Sequence, residues 1–481
     1  MRSIINRLFS TEALTPKERL GEVPSSREAY GVLFRYALPS VCEMVLAALI
    51  GMIDTMMVST IGTDAVAAVG LVGQPRMLFL SVFMAMNIGV TAVVARRKGE
   101  NRRKDANVTL KNALVITMAM AIVLAVAAWF FAVPVLRFSG AIPGETLEDA
   151  VDYFRILMVA LPVNALSMCI CAAQRGIGNT KLTMYVNVIS NLVNVLFNWL
   201  LINGVWFFPK MGVRGAALAT VIGMCVGTLL CIVSLFNSKK HVSFLCFQRG
   251  DSWKFDSEAL RAFSKVGGSA FAEQVAMRFG FIFYAKIVAD LGTDAFAAHQ
   301  IASQYLSLSF CFADGLGIAG TSLVGQMLGR RRPDLAHMFA KLTQRVALVL
   351  AVLIATCVVT LRYPLIGFFI HSDASEAVER MAVILMYMVG LFQLFQTSSV
   401  VLLGALRGAG DTKFVARISL ACIAILRPAL AYIAVYIIGT RLGYQEYALM
   451  GAWLASIIDI GTRLFLAGRR FNGGKWHEIK V

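Results

Sequence analysis

Asp54 lies in the apolar run Ala48-Leu49-Ile50-Gly51-Met52-Ile53-Asp54-Thr55, and Asn187, Asn191, Asn194 and Asn198 recur at i, i+4, i+7 and i+11 in another. The second spacing sets four amides along one helix face. A charge buried in such apolar surroundings costs roughly 2.5–3.5 kcal/mol on membrane-insertion scales, so the acid needs a partner, water or an exchangeable ion. Thr220, in Ala219-Thr220-Val221, adds a hydroxyl. A carboxylate that can change charge, ringed by amide and hydroxyl oxygens, is what reversible binding of H⁺ or Na⁺ requires. Asp54, Asn194, Asn198 and Thr220 are therefore the candidate ion-coupling residues, with Asp54, Asn194 and Asn198 the set that would hold Na⁺. The inner pair, Asn187 and Asn191, serves equally well as hydrogen-bond links between helices.

The second half carries a different set: Glu273, Gln274 and Arg278 close together, then Asp314, then Gln393, Gln396 and Thr397, then Arg427. Both signs are present, which suits either structural ion pairs or recognition of a substrate. Glu273, Gln274, Arg278, Gln396 and Arg427 are the candidate cleft residues. Nine cysteines show no CxxC spacing, and the histidines at 241, 299, 337, 371 and 477 are far apart. With no resident-metal spacing, nucleotide-binding loop or nucleophile motif, the sequence predicts neither an enzyme nor a cofactor. Any transport must then run on an ion gradient or on the substrate itself.

What must position these residues is a set of membrane helices. At 58% hydrophobic and 15% charged residues over 481, with a mean hydropathy of +0.71, a soluble globular chain is excluded. Apolar stretches fall near 35–58, 66–95, 112–136, 152–174, 182–203, 213–236, 266–289, 296–328, 341–370, 377–406, 413–438 and 446–468. Each is long enough to cross a bilayer, and none has the short alternating pattern of barrel strands. The formal charge of +17 would suggest nucleic acid in a soluble protein, but here the basic residues gather in alternate loops. Arg96-Arg97-Lys98, Arg102-Arg103-Lys104, Arg330-Arg331-Arg332 and Arg469-Arg470 all fall on one side, with acids such as Glu145, Glu148, Asp149 and Asp152 opposite. The positive-inside rule then places both termini in the cytosol of a multi-pass protein of the cell (inner) membrane, with the lipid bilayer and no nucleic acid as partner.

An internal repeat organises the spans. At an offset of 230, Gly62-Thr63-Asp64-Ala65 meets Gly292-Thr293-Asp294-Ala295, and Gly99 meets Gly329. At 232, Arg175-Gly176-Ile177-Gly178-Asn179-Thr180-Lys181 meets Arg407-Gly408-Ala409-Gly410-Asp411-Thr412-Lys413. Six spans per repeat is an even number, so the halves enter the membrane from the same side as parallel repeats. The expected architecture is all-α and polytopic: twelve transmembrane helices in two parallel-repeat six-helix lobes about a central cleft. Its parts are a cytosolic lead-in (1–34), a first lobe (35–236), a cytosolic linker (237–265), a second lobe (266–468) and a cytosolic tail (469–481). Pro39 and Pro428 mark places where a helix can bend.

Three segments in order carry a family likeness: Ile53-Asp54-Thr55-Met56-Met57-Val58 with Gly62-Thr63-Asp64-Ala65-Val66-Ala67-Ala68-Val69-Gly70, then Ala297-Ala298-His299-Gln300-Ile301, then Gly404-Ala405-Leu406-Arg407-Gly408-Ala409-Gly410-Asp411-Thr412. The chain resembles the multidrug and toxic compound extrusion (MATE) family, over nearly its whole length, and most of all bacterial members related to DinF. The resemblance implies a monomeric secondary exporter that moves cationic or amphipathic organic compounds, drugs among them, outward against H⁺ or Na⁺ by alternating access. It puts the family's acidic residue of the first span on Asp54 and its polar cluster on Asn194, Asn198 and Thr220. Asn198 stands where some members have an acid, which leaves Asp54 as the sole titrating carboxylate expected in the first lobe. Met277 and Gln396 stand where one branch has acids. A flippase for lipid-linked oligosaccharides or polyprenyl carriers, from the wider superfamily, is the alternative, with Arg278 and Arg427 its only expected cationic contacts.

Overall fold

The computed structural model describes residues 9–16, 18–139, 144–206, 208–236, 244–247, 257–369, 376–441, 443 and 445–479. Among these residues there is no β-strand, and the long elements are α1 (Ser26–Ser59), α2 (Thr63–Gly99), α3 (Arg103–Phe138), α4 (Glu145–Val159 continued by Leu161–Gly176), α5 (Thr180–Asn203) and α6 (Gly212–Phe236). The second half follows with α7 (Ser257–Ala289), α8 (Thr293–Gly329), α9 (Pro333–Thr360), α10 (Glu376–Gly408), α11 (Thr412–Arg441) and α12 (Gln445–Asn472). Every expected span has its helix. Ten are long and apolar enough to cross a membrane unbroken, and α4 does so as a pair bent by 50°, with a proline opening its second part. The remaining helix, α7, is diluted by Glu273, Gln274 and Arg278. Residues 237–243 and 248–256 of the expected linker lie outside the described residues.

Pro39 sits inside an unbroken α1. Around Pro428 the backbone leaves α geometry, with π-helical turns over Leu420–Leu426 and Ile433–Arg441 on either side of a short α segment.

Two compact units emerge, Cys42–Phe271 and Met1–Val41 with Ala272–Val481. Their borders fall inside α1 and α7, one repeat of 230 residues apart, and not at the expected lobe edges of 35 and 266. The reason is packing of the inner turns. Ala29, Leu33 and Ala37 of α1 join a core with Leu316, Leu323 and Leu406, whereas Gly267 of α7 lies against the α2 backbone at Ala85 and Met86. Cys42–Phe271 is centred on Phe83, Leu110, Phe154 and Ile170.

The repeat reaches into the backbone. Gly178 and Gly410, at equivalent places in the two basic turns, both have φ 86°, and Asn101 and Arg331 share the left-handed region at 57° and 60°. Glycine meets that φ without the clash a side chain would bring. Thr91 donates to the Ala172 carbonyl at 3.0 Å, and its counterpart Thr321 donates to Gly404 at 2.8 Å. Beside these bonds Gly176 and Gly408 pass so close to the Thr91 and Thr321 carbonyls that an added Cβ would lie 2.8 and 2.2 Å away. Gly408→Val should therefore cost about 1–3 kcal/mol through overpacking, visible as a lower melting temperature and lower yield of purified protein, with Gly176→Val behaving alike.

Candidate functional site

In the first unit α1, α5 and α6 bring the predicted ion-coupling residues together. Asn198, fully buried, donates from Nδ2 to Asp54 Oδ1, and Asn194 Nδ2 donates to Thr220 Oγ1 at 3.1 Å. Thr220 in turn donates to the Ala216 carbonyl at 3.0 Å, which turns its oxygen toward Asn194. The close approach of α6 depends on Gly223, whose carbonyl accepts from Ser190 at 2.7 Å and whose Cα has Asn194 beside it. Asn198 Oδ1 is buried and has no hydrogen-bond partner. An orphaned acceptor beside a carboxylate suits a proton on the acid or a small cation between the two oxygens. No arginine or lysine lies in ion-pair contact with Asp54 among the described residues. Arg76 of α2 and Tyr153 of α4 stand within its electrostatic reach, and sequence reading had singled out neither.

Further in along the same pair of helices lies a residue the sequence reading passed over. Glu43, 2% exposed, accepts from Arg175 Nη1 at 2.8 Å, Asn187 Nδ2 at 2.7 Å and Thr183 Oγ1 at 2.8 Å. α1 thus brings a second acid besides Asp54 against α5. Glu43 is paired with a guanidinium and its oxygens are taken up by donors, whereas Asp54 meets only an amide. The inner asparagine, Asn187, makes the hydrogen-bond link between helices expected of it, from α5 to Glu43 of α1.

In the second unit the predicted cleft residues separate. Glu273, 1% exposed, takes Arg407, through a short contact to Nη2 and a 3.4 Å bond from Nε, together with Ser419 at 3.2 Å. Arg427 donates to Asp459 at 2.8 Å, and Arg463 adds two bonds of 3.1 Å to the same acid. Arg427 also covers the ring of Phe281 at 5.3 Å. Neither Glu273 with Arg278 nor Arg427 with Asp314 forms a pair. Sequence order hid the true partners, since Arg407 and Ser419 lie 134 and 146 residues beyond Glu273 and Asp459 lies 32 beyond Arg427. Arg278 Nε and Gln396 Oε1 are buried without hydrogen-bond partners, and Gln274 is half-buried. Among the described residues no group of three or more His, Cys, Asp or Glu side chains is placed to hold a metal ion.

The two carboxylate pairs are one device used twice. Glu43 and Glu273 are 230 apart, Arg175 and Arg407 232, and Asn187 and Ser419 232. The same doubling appears in comparison with known families: the MatE family model matches residues 39–200 and again 270–433. The chain belongs to the MatE family. It is a multi-pass membrane transporter, not an enzyme. Among curated relatives, the Probable multidrug resistance protein NorM of Thermotoga maritima is 28% identical over 471 residues, covering 97% of this chain and 96% of its own. The Uncharacterized transporter YisQ of Bacillus subtilis is 24% identical over 444 residues, 92% of this chain and 94% of its own. A solved structure described as the outward-facing conformation of a multidrug resistance MATE family transporter aligns with a TM-score of 0.84 at 19% identity, covering 93% of this chain and 97% of that one. That likeness shows a shared fold.

Breaking one buried pair leaves the other charge stranded. Glu273→Gln should destabilise by about 3–5 kcal/mol, and the double variant Glu273→Met with Arg407→Met should recover much of that loss. Thermal unfolding of the three purified proteins checks the order.

Proposed function

We propose that this transporter is a secondary multidrug exporter of the inner membrane, with both termini in the cytosol, that antiports cationic or amphipathic organic compounds outward against H⁺ or Na⁺. The reading rests on one observation. Of the four acids Glu43, Asp54, Glu273 and Asp459, the first, third and fourth are buried and each contacts an arginine, whereas half-buried Asp54 has none in contact and faces the unpartnered Asn198 Oδ1. An ion arriving there gains a carboxylate and an amide oxygen, with Asn194 and Thr220 completing a polar wall. Its binding and release change the charge of the first lobe, and alternating access couples that change to export. The multidrug resistance names of the NorM relatives support the substrate class.

The arginine pairing argues against the flippase alternative. A pyrophosphate carrier needs several cationic side chains free to meet phosphate, and of the two expected ones Arg427 is already spent on Asp459, which leaves Arg278 by itself.

Right-side-out vesicles carrying Asp54→Asn, loaded with ethidium and given a pH gradient or a Na⁺ gradient one at a time, test the reading. Gradient-driven efflux of ethidium should fall at least tenfold at equal protein level. Undiminished efflux in the variant would remove Asp54 from the mechanism.

A further inference from the structure

Resting on the reading of Asp54 as the coupling site, the geometry assigns Glu43 as its positioning residue: the Glu43–Arg175–Asn187 cluster holds α1 in register against α5 so that Asp54 meets Asn198. The argument is one of spacing. Glu43 and Asp54 are 11 residues apart on α1, and their respective partners Asn187 and Asn198 are 11 apart on α5. Eleven residues are three helical turns, roughly 16 Å of rise, and return to nearly the same face. Both helices run from the cytosolic side outward, so equal steps from the inner contact arrive at the outer one. A rotation or slide of α1 by one residue would carry Asp54 about 100° round or 1.5 Å along and part it from Asn198.

Such a hold is needed because the stretch of α1 beyond Cys42 lacks the core packing of its inner turns. Of the ten unbroken spanning helices α1 is the least enclosed, with 11% of its apolar window buried, against 61% for α2 and 78% for α10. Its compact unit also begins at Cys42, next to Glu43. The inner cluster supplies directional bonds at that point, from Arg175 on the basic turn and from Thr183 and Asn187 on α5. Glu43 itself does not exchange the ion, since three donors already occupy its oxygens. Its counterpart, Glu273 with Arg407 and Ser419, holds α7 in the other unit, where no residue equivalent to Asp54 lies three turns further on: that place is taken by Tyr284.

The test measures the concentration of H⁺, and separately of Na⁺, that gives half-maximal ethidium efflux from proteoliposomes at matched protein content. Glu43→Gln should raise the half-saturating concentration of the coupling ion at least threefold, and Glu43→Asp should raise it less. Asn187→Ala, which leaves the Glu43–Arg175 charge pair in place and so keeps the protein folded, should shift it in the same direction. Glu273→Gln should lower melting temperature without that shift. If Asp54→Asn abolishes ion dependence while Glu43→Gln and Asn187→Ala keep the wild-type value, or if Glu273→Gln shifts it equally, the positioning role is overturned. Ion dependence surviving in Asp54→Asn would instead overturn the coupling site itself.

Discussion

A carboxylate placed in the membrane interior must be neutralised, protonated or paired, and the arrangement of this protein follows from how each acid meets that demand. Glu43, Glu273 and Asp459 meet it with arginine. Those contacts commit basic side chains from the turns before α5 and α11 and from α11 and α12 themselves, and so tie distant stretches of chain together. Asp54 meets the demand with an amide alone. A carboxylate satisfied by arginine has no reason to exchange its partner, whereas one satisfied by an amide can take up a proton or a cation and give it back.

The repeat gives this division its form. Each half carries an acid in its first span, an arginine in the glycine-containing turn after its fourth, and a polar residue in its fifth, and each closes the three into one cluster. The glycines of those turns are required twice over: Gly178 and Gly410 for their positive φ, and Gly176 and Gly408 for the close passage of helix against backbone. The halves then diverge. The first adds Asp54 and the asparagine face, and the second adds an acid shared by two arginines, Arg427 and Arg463.

Much of this was legible in the sequence because bilayer helices announce themselves by length and hydropathy, and because a four-residue and three-residue alternation of asparagines has one structural meaning. Asp54, Asn194, Asn198 and Thr220 were found by those signals, and the structure brings them together in pairs. Glu43 was overlooked although the signal existed: the offset of 230 that aligns Gly62 with Gly292 also aligns Glu43 with Glu273, and the offset of 232 that aligns the two basic turns pairs Arg175 with Arg407. Asp459 had no such signal, for its partner is fixed by tertiary packing of α11 on α12. The same limit applies to Arg76 and Tyr153, which approach Asp54 through the packing of α2 and α4, where Phe79 meets Phe154 at 6.0 Å. The break between compact units inside α1 and α7 was also invisible, because hydropathy runs unchanged across it.

The central claim is that Asp54 alone among these acids exchanges its charge. Infrared difference spectra of the purified protein, recorded between acid and alkaline pH and again on adding Na⁺ at fixed pH, read protonated carboxyl groups directly. The account predicts a protonated-carboxyl band that disappears with rising pH or with Na⁺, is missing from Asp54→Asn and is retained in Glu273→Gln. A band that persists unchanged in Asp54→Asn would contradict it.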